Sequence, residues 1–405
     1  MQKEIVLLDG ARTPLGSFCG SLRDITATDL GAIASKEAMK RSGVKPEQID
    51  HVVFGNAEQT SGDAIFFPRH VGLRSGVPQE VPALLVQRIC GTGLQALVTA
   101  AQMLMLDEAT MVLAGGAENM SQAPFVVRGA RWGLPMRHHV FEDYLWEAFK
   151  DTYNDLVMGG TAEVVAERFN INRKDQDEYG YLSQMRTKEA KEKGYLAEEI
   201  TPVELKDRKG NIQPFTEDEH PRPGTSLEKL ATLKPFFKKD GCVTAGNASG
   251  ISDGGCAFVV TTKEKADELG LKYVGKFISW GTVGVDPDIM GMGPARAIPP
   301  ALKKANMKIE DMDLIEINEA FASQVLACQR ELGIDIEKLN VNGGAIALGH
   351  PLAATGSRTT LTLLYEMRRR KNARYGISSM CIGGGQGIAA ILEKGNKESE
   401  KFPPQ

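Results

Sequence analysis

The sequence predicts an α/β fold of stacked layers, made from one β/α unit used twice, with a large insertion in the first copy. Three observations point there. Glycines cluster where apolar strand-like runs turn into helix-like runs: Gly91/Gly93, Gly115-Gly116, Gly343-Gly344 and Gly383-Gly384-Gly385-Gln386-Gly387. Strands feeding such turns are the pattern of layered α/β proteins. A segment recurs 263 residues later: Ala38-Met-Lys-Arg-Ser-Gly-Val-Lys-Pro-Glu-Gln-Ile-Asp50 against Ala301-Leu-Lys-Lys-Ala-Asn-Met-Lys-Ile-Glu-Asp-Met-Asp313. Between the copies, 121–248 has a different, more polar texture.

The elements follow in order. Ile5-Val-Leu-Leu reads as a first strand. The repeat continues from the helix into strands His51-Val-Val-Phe and Leu314-Ile-Glu-Ile. At the same offset Cys90-Gly-Thr-Gly93 falls on Ala353-Ala-Thr-Gly356, and, with a few residues inserted, Ala114-Gly-Gly falls on Ile382-Gly-Gly. Fixed spacing over such a length argues for duplication rather than chance similarity. Residues 94–106 are apolar nearly all round, which predicts a buried helix. Within the insertion, Ala162 to Gly194 reads as helical and Pro202 to Pro235 as a Pro- and charge-rich stretch. Asp253-Gly-Gly-Cys-Ala-Phe-Val-Val closes the first unit. The expected division is 1–120 plus 249–270 for the first half, 121–248 for the inserted loop domain, 271–395 for the second half and 396–405 for a polar tail. The tail, ending in Pro-Pro-Gln, is expected to be disordered.

Composition excludes several classes. With 405 residues the chain needs two or three packed units. The net charge is −4 and no basic stripe is interleaved with aromatics, so nucleic acid is not expected as a partner. The apolar stretch Leu94 to Leu106 is too short to cross a bilayer. No targeting pattern is visible, which gives a cytoplasmic expectation. The six cysteines are widely spaced with no C-x-x-C pair, so neither a disulfide framework nor a structural zinc site is expected.

Four residues stand out chemically. Cys90 sits at the start of the buried helix, where free N–H groups and the helix dipole favour a thiolate. A lone cysteine more often packs as a small apolar group. His350, in Gly349-His-Pro, enters the helix that the repeat makes symmetric to the Cys90 helix. The two helices would bring His350 and Cys90 to one centre, the minimum for an activated thiol; alone, such a histidine is more often structural. Cys381 ends a strand just before a turn of bare N–H groups, which can form an oxyanion hole. That Gly run has no Gly-Lys-Ser/Thr and leads into a strand, so it is neither a phosphate loop nor a dinucleotide fingerprint. Asn318 follows the repeated strand, at the end where α/β sites gather. His138-His139 lie in a polar loop without ligand spacing, so no metal is expected.

These motifs together resemble the thiolase family, over about Glu4 to Leu392: Ala11-Arg-Thr-Pro-Leu-Gly-Ser-Phe, Cys90-Gly-Thr-Gly, Gly115-Gly-Ala-Glu-Asn-Met-Ser, Gly246-Asn-Ala-Ser-Gly, Asn318-Glu-Ala-Phe, Gly349-His-Pro and Cys381-Ile-Gly-Gly-Gly-Gln-Gly. The resemblance implies a five-layer αβαβα fold of two duplicated βαβαβαββ halves with an inserted loop domain. It implies reversible Claisen condensation and thiolysis of acyl-CoAs, of short 3-ketoacyl-CoAs or alternatively of longer chains in degradation, with CoA as substrate rather than cofactor, and an oligomer, dimeric or tetrameric. By the same resemblance Cys90 would be the acylated nucleophile, and His350 its base. Cys381 would move the α-proton of a second acyl-CoA, and Asn318 would hold a water beside the enolate oxygen. The N–H groups of Cys90 and Gly383 would form a second oxyanion hole. Ser249 and Arg222 would lie near CoA, with Met158 in the acyl wall. This chain departs from the family in Gly-Thr-Gly after Cys90, in Ala353-Ala354 after His-Pro, and in Val157 where short-chain members carry His.

Two other readings of the fold are weaker. Decarboxylating condensing enzymes and hydroxymethylglutaryl-CoA-type synthases lack the second cysteine, which is present here as Cys381. A non-catalytic lipid-binding or scaffolding relative would tend to lose the nucleophile or the histidine, and both are present.

Overall fold

The computed structural model describes residues 3–206, 209–399 and 401–402. The first half contributes strands β1 (Ile5–Arg12), β2 (His51–Gly55), β3 (Ala83–Val86), β4 (Met111–Asn119) and β5 (Ser252–Thr262). It also holds helices α1 (Ala27–Ser42), α2 (Phe67–Arg74) and α3 (Thr92–Met105). The insertion carries α4 (Met158–Arg168) and α5 (Arg173–Glu192). The second half has β6 (Gly275–Gly284), β7 (Leu314–Ile317), β8 (Tyr375–Ile382) and β9 (Gln386–Lys394), with α6 (Gly293–Ala305), α7 (Ala322–Leu332) and α8 (Leu352–Arg369).

The strand order is β7-β8-β9-β6-β1-β5-β4-β2-β3. Each half keeps its own sheet, and the two touch through the short antiparallel contact Val6↔Lys276 and Leu7↔Gly275. The parallel pairs β2–β4 and β7–β8 occupy equivalent places. In the second half an isolated parallel bridge, Ile315↔Leu339, stands where β3 pairs with β2 in the first.

Three apolar clusters define the layers. One packs α1 and α2 on the outer face of the first sheet, through Leu30, Ala34, Met39, Phe54, Phe67 and Val71. One packs α6 and α7 on the outer face of the second, through Ile298, Leu302, Val325 and Cys328. The third lies between the sheets and holds α3 and α8, with Leu94, Leu97, Leu361 and Leu364. The result is the αβαβα sandwich. Helix α8 is buried along its whole length.

The central helices approach each other because glycine faces each of them. A Cβ on Gly93 of α3 would run into the Ala353 carbonyl and Ser357 of α8, and a Cβ on Gly356 of α8 would run into Leu94 of α3. These two glycines are equivalent in the repeat. Gly116 of β4 also faces the Ala353 carbonyl with no room for a Cβ.

Three sequence expectations need correction. Strand pairing sets the repeat register: Val53 faces Ala114, and Glu316 faces Ser378. Ala114 therefore corresponds to Ser378, not Ile382; the matched glycine pairs sit mid-strand in one half and in a turn in the other. The helical stretch 162–194 is two helices. Asn170 takes φ +54 and Asn172 caps α5 by accepting from Asp175 N, which breaks the run. The Pro- and charge-rich segment 202–235 holds the pair Val203–Lys206 with Ile212–Phe215 and the short helix Leu227–Ala231. The tail is docked as far as it is described. Lys397 bonds Asp9 at 2.7 Å, Ser399 Oγ donates to Glu198, and the Phe402 ring sits edge-on to Tyr195 at 5.2 Å. Buried acceptors at Asp9 and Glu198 outweigh a disorder-prone composition; the remaining tail positions, 400 and 403–405, lie outside the described residues.

Gly116→Ala should destabilise the protein by at least about 1–3 kcal/mol, because the methyl would need the first turn of α8 to move. Thermal melts against the wild type check this. An unchanged melting temperature would show that α8 is not seated on β4.

Candidate active site

Cys90 lies in the 3₁₀ turn Ile89–Gly91, directly before α3, and is 7% exposed. Ile89 takes φ +44, a left-handed conformation that β-branched residues rarely adopt. Arg88 holds the turn from both sides: its N–H donates to Thr92 Oγ1 at 2.8 Å and its guanidinium to Gln386 Oε1 at 2.8 Å. The second bond ties the nucleophile turn to the turn between β8 and β9. Gly384 and Gly385 take φ +79 and +83 in that turn, which only glycine accepts readily.

The turn aims Gly383 N–H at Cys90. The Cys90 sulfur is approached by the backbone N–H of Gly383 and by its own. Two converging N–H groups at one atom are the geometry of an oxyanion hole. The thiol itself is pushed up to about 11, chiefly by burial, with Glu118 and Glu58 adding to it and the two N–H groups opposing. The expectation of a thiolate held by the helix terminus is thus corrected: desolvation outweighs the N–H donors.

His350 precedes α8, and its backbone N–H donates to Gly250 O at 2.8 Å. Its ring is fixed at both nitrogens. Thr355 Oγ1 donates to Pro351 O at 3.0 Å, so toward the ring it can only accept, and His350 Nδ1–H donates to it at 2.6 Å. Nε2 then carries the lone pair and accepts from Asn318 Nδ2 at 3.3 Å. Burial, followed by the Arg358 charge, lowers the imidazole to about 3, so it is neutral. A neutral imidazole with a fixed tautomer is a base, not a cation.

Cys381 is fully buried at the end of β8. Burial and then the neighbouring Cys90 raise its thiol well above the ordinary range. It packs in a cluster with Met290, Ala320 and Phe321, against which Met158, Phe237 and Ala248 lie half-buried. Met158 Sδ lies against Gly383. Ser249 N–H donates to Ala320 O at 2.9 Å, beside the bridge Ala248↔Phe321, so the 246–250 run is stitched to the Asn318 segment.

The structure thus brings together Cys90, His350, Cys381, Asn318, Gly383 and Met158, with Ser249 one strand-like step away. Arg222 stands apart and exposed; its N–H donates to Gln184 Oε1 at 2.8 Å. It is linked to the centre indirectly: its charge bears on His220, whose ring packs on Gly250. Sequence reasoning missed Thr355, which lies five residues after His350 and could have been found as a partner on the following helix turn. It also missed Glu319, whose carboxylate takes Tyr179 OH, Ser183 Oγ and Ile346 N–H and so braces the segment after Asn318 against the loop leading to His350. Only the fold shows those partners.

Two thiols, one neutral imidazole and two N–H donors converging on a glycine turn define a cysteine-dependent acyl-transfer centre. The comparisons with known proteins are specific. Residues 5–264 match the family model described as thiolase, N-terminal domain, and 271–394 that described as thiolase, C-terminal domain. The chain is 47% identical over 390 residues to the human mitochondrial 3-ketoacyl-CoA thiolase, covering 96% of this chain and 98% of the relative. It is 46% identical over 398 residues to an acetyl-CoA acetyltransferase of Syntrophomonas wolfei, covering 97% and 100%. The crystal structure of the human mitochondrial enzyme superposes with a TM-score of 0.94 over 97% of this chain and 99% of that one, and the structure of its complex with CoA does so at the same TM-score. The chain belongs to the thiolase family.

Thr355→Val should leave Nδ1–H without its acceptor and release the tautomer. We expect kcat to fall at least about tenfold with KM little changed, since a positioned base contributes about 10²–10⁴. Steady-state kinetics check this. The depressed His350 value also has a pH signature. The unfolded chain takes up a proton near the ordinary value of 6.5, while the folded ring resists until about 3. His350 therefore supports folding above about 6.5 and costs stability as pH falls toward 3. The melting temperature of the wild type should fall more steeply than that of His350→Asn over this window; parallel curves would contradict a buried neutral ring.

Proposed function

We propose that the protein catalyses reversible thiolysis and Claisen condensation of acyl-CoAs through an acyl-enzyme on Cys90. The observation that carries this is the second thiol, Cys381, in the same centre as Cys90 and His350. A hydrolase or simple acyl-transferase needs one nucleophile. Carbon–carbon chemistry needs a second group to move a weakly acidic C–H proton. In the first half, His350 Nε2 takes the Cys90 proton as the sulfur attacks the thioester carbonyl; the C–S bond to CoA then breaks, and the departing CoA sulfur takes the Cys381 proton, which leaves Cys381 as the thiolate. The N–H groups of Cys90 and Gly383 donate to the oxygen on which charge develops, each worth about 3 kcal/mol. In the second half, Cys381 removes the α-proton of an incoming acyl-CoA. His350 and the Asn318 amide, through a water, face the enolate oxygen; the carbanion attacks the Cys90 thioester, the C–S bond to Cys90 breaks, and the released sulfur takes back the proton held by His350. The resting centre is neutral throughout, so charge appears only when substrate brings the groups to which it is transferred.

Preference for short chains is supported by the walls. Phe237 and Phe321 meet edge-on at 6.4 Å, and with Met158 and Met290 they pack tightly around Cys381. Ser249 and Arg222 are proposed for CoA. All six cysteines are free, as suits a reducing compartment. That supports the expected cytoplasmic location and is equally compatible with the compartment named for the human relative. Among the described residues no helix is long and apolar enough to cross a membrane.

A homo-oligomer is supported by two surfaces. Strand β3 ends the sheet with Leu84 exposed, and Ile65 and Phe66 are exposed just before α2; a bare apolar edge is usually covered. The insertion exposes Trp132, Met136, Val140 and Phe141, the surface proposed for a dimer-of-dimers contact. Light scattering of the purified protein reads the assembly.

Cys381→Ser should still form acyl-Cys90, visible as the mass of one acetyl group, while condensation falls by about 10²–10⁴-fold. Absence of any acyl-enzyme would remove Cys381 from the role given it. Across 3-ketoacyl-CoAs of increasing length, thiolytic kcat/KM should be greatest for acetoacetyl-CoA and fall beyond about six carbons, although each added methylene would gain about 0.8 kcal/mol in a chamber with room for it. A maximum at medium or long chains would move the assignment to degradation of longer acids.

A further inference from the structure

Behind Cys90 lie three carboxyls that the reaction does not use: Glu58, Glu118 and Asp253. All three are buried, at 3%, 0% and 0% exposure. Their partners differ sharply. Glu118 takes four N–H donors. Its Oε1 accepts from Asn56 Nδ2 at 2.7 Å and Glu58 N at 3.1 Å, and its Oε2 accepts from Ala57 N and Ala353 N, each at 3.1 Å. Asp253 accepts from Ser121 N at 3.0 Å and from Ser121 Oγ. Among the described residues Glu58 has no hydrogen-bond partner at either carboxyl oxygen, and both are sealed from solvent.

The donor from Ala353 crosses between the halves. Ala353 is the second residue of α8, a helix whose preceding residue, Pro351, supplies no side-chain cap. Its N–H is one of the donors a helix terminus leaves free, and a carboxylate there is favoured by the helix dipole. The other three donors come from 56–58, the loop leaving β2 in the first half. One carboxylate thus clamps the nucleophile's half to the first turn of α8. That turn carries Thr355, which orients the His350 ring, and Leu352, which packs with Cys90.

We propose that Glu118 is a positioning residue of the reaction, capping α8 from the opposite half so that His350 is held against Cys90, and that Glu58 carries the proton that leaves the pair with a single charge. A carboxylate with four N–H donors is stable as an anion; a carboxyl with none is stable as the acid. The groups facing Glu58 agree: Glu118, Asp253 and Asp143 are all acidic, and the nearby Tyr144 hydroxyl donates to the Glu58 backbone carbonyl at 2.9 Å rather than to its carboxyl. Burial first, then these carboxylates, push Glu58 up to about 9, whereas Glu118 reaches only about 7 because its donors oppose burial. The charge on Glu118 also raises Cys90, so it acts through geometry and not by making a thiolate.

The proposal rests on the reaction assigned above, so one arm of its test does not use activity. Glu58, raised above its ordinary 4.5, supports folding fully below about 4.5 and progressively less as pH rises toward 9. Glu58→Gln mimics the protonated acid and cannot ionise. Its melting temperature should therefore fall less than that of the wild type between about pH 6 and pH 9. Equal slopes would overturn the assignment of the proton. In the second arm, Glu118→Gln in the full-length enzyme should lower kcat for acetoacetyl-CoA thiolysis about 10- to 100-fold, as expected for a misplaced base. KM should stay within about twofold, and acetylation of Cys90 should slow in parallel. Unchanged kcat, or kcat and KM shifting together as in a loosened fold, would overturn the positioning role. Should Glu118→Gln not fold, Glu118→Asp keeps the charge but withdraws it by one methylene, and is held to the same split. A failed reaction scheme would abolish activity assays without touching the melting arm, so the two failures can be told apart.

Discussion

The contact between Ala353 and the first half is what the centre is built around. Gly93 and Gly116 leave the space, the Ala353 carbonyl fills it, and Glu118 takes the Ala353 N–H. Backbone meets backbone there with no side chain between, so the first turn of α8 has little freedom to shift. His350 lies three residues before that point and Thr355 two residues after it. The position of the imidazole therefore derives from a close approach between halves, not from the loop that bears it.

Duplication makes this approach self-consistent. The Gly93 and Gly356 positions are equivalent, and each opens its own helix to the backbone of the other. A single unit would leave its inner sheet face bare; two units bury α3 and α8 between their sheets and place both helix starts at one centre. The chemistry is then asymmetric because the equivalent helix starts carry different residues. One presents Cys90 beside a strained turn. The other presents His350, and the β8–β9 turn adds Gly383 and Cys381.

Burial sets the electrostatics of this centre. Every reacting group is desolvated, so each prefers its uncharged form: thiols are raised and the imidazole lowered. Such a centre avoids a resting ion pair, which would be costly in a dry interior. It concentrates N–H donors where oxyanions form, and it sets one ionised carboxylate, Glu118, on the helix end that tolerates it.

Much of this was legible in the chain. The duplication, the insertion, the buried helix behind Cys90 and the placing of Cys90 and His350 at the starts of the two central helices follow from residue patterns, because a fixed offset and an all-apolar helix carry through to any fold that buries them. Cys381 and Asn318 could be placed at strand ends by the same logic, and their roles came from family resemblance. The strand register could not be read, since matched glycines are compatible with more than one pairing and hydrogen bonds along the ladder choose among them. The break at Asn170–Asn172 and the docking of the tail depended on local caps and on acceptors distant in sequence. Thr355, Glu118 and Glu58 were invisible as a set because their meaning lies in who donates to whom, across 235 residues in the case of Glu118 and Ala353. The state of Cys90 went against the sequence reading for the same reason: a helix N-terminus is a local feature, whereas desolvation is a property of everything packed around it.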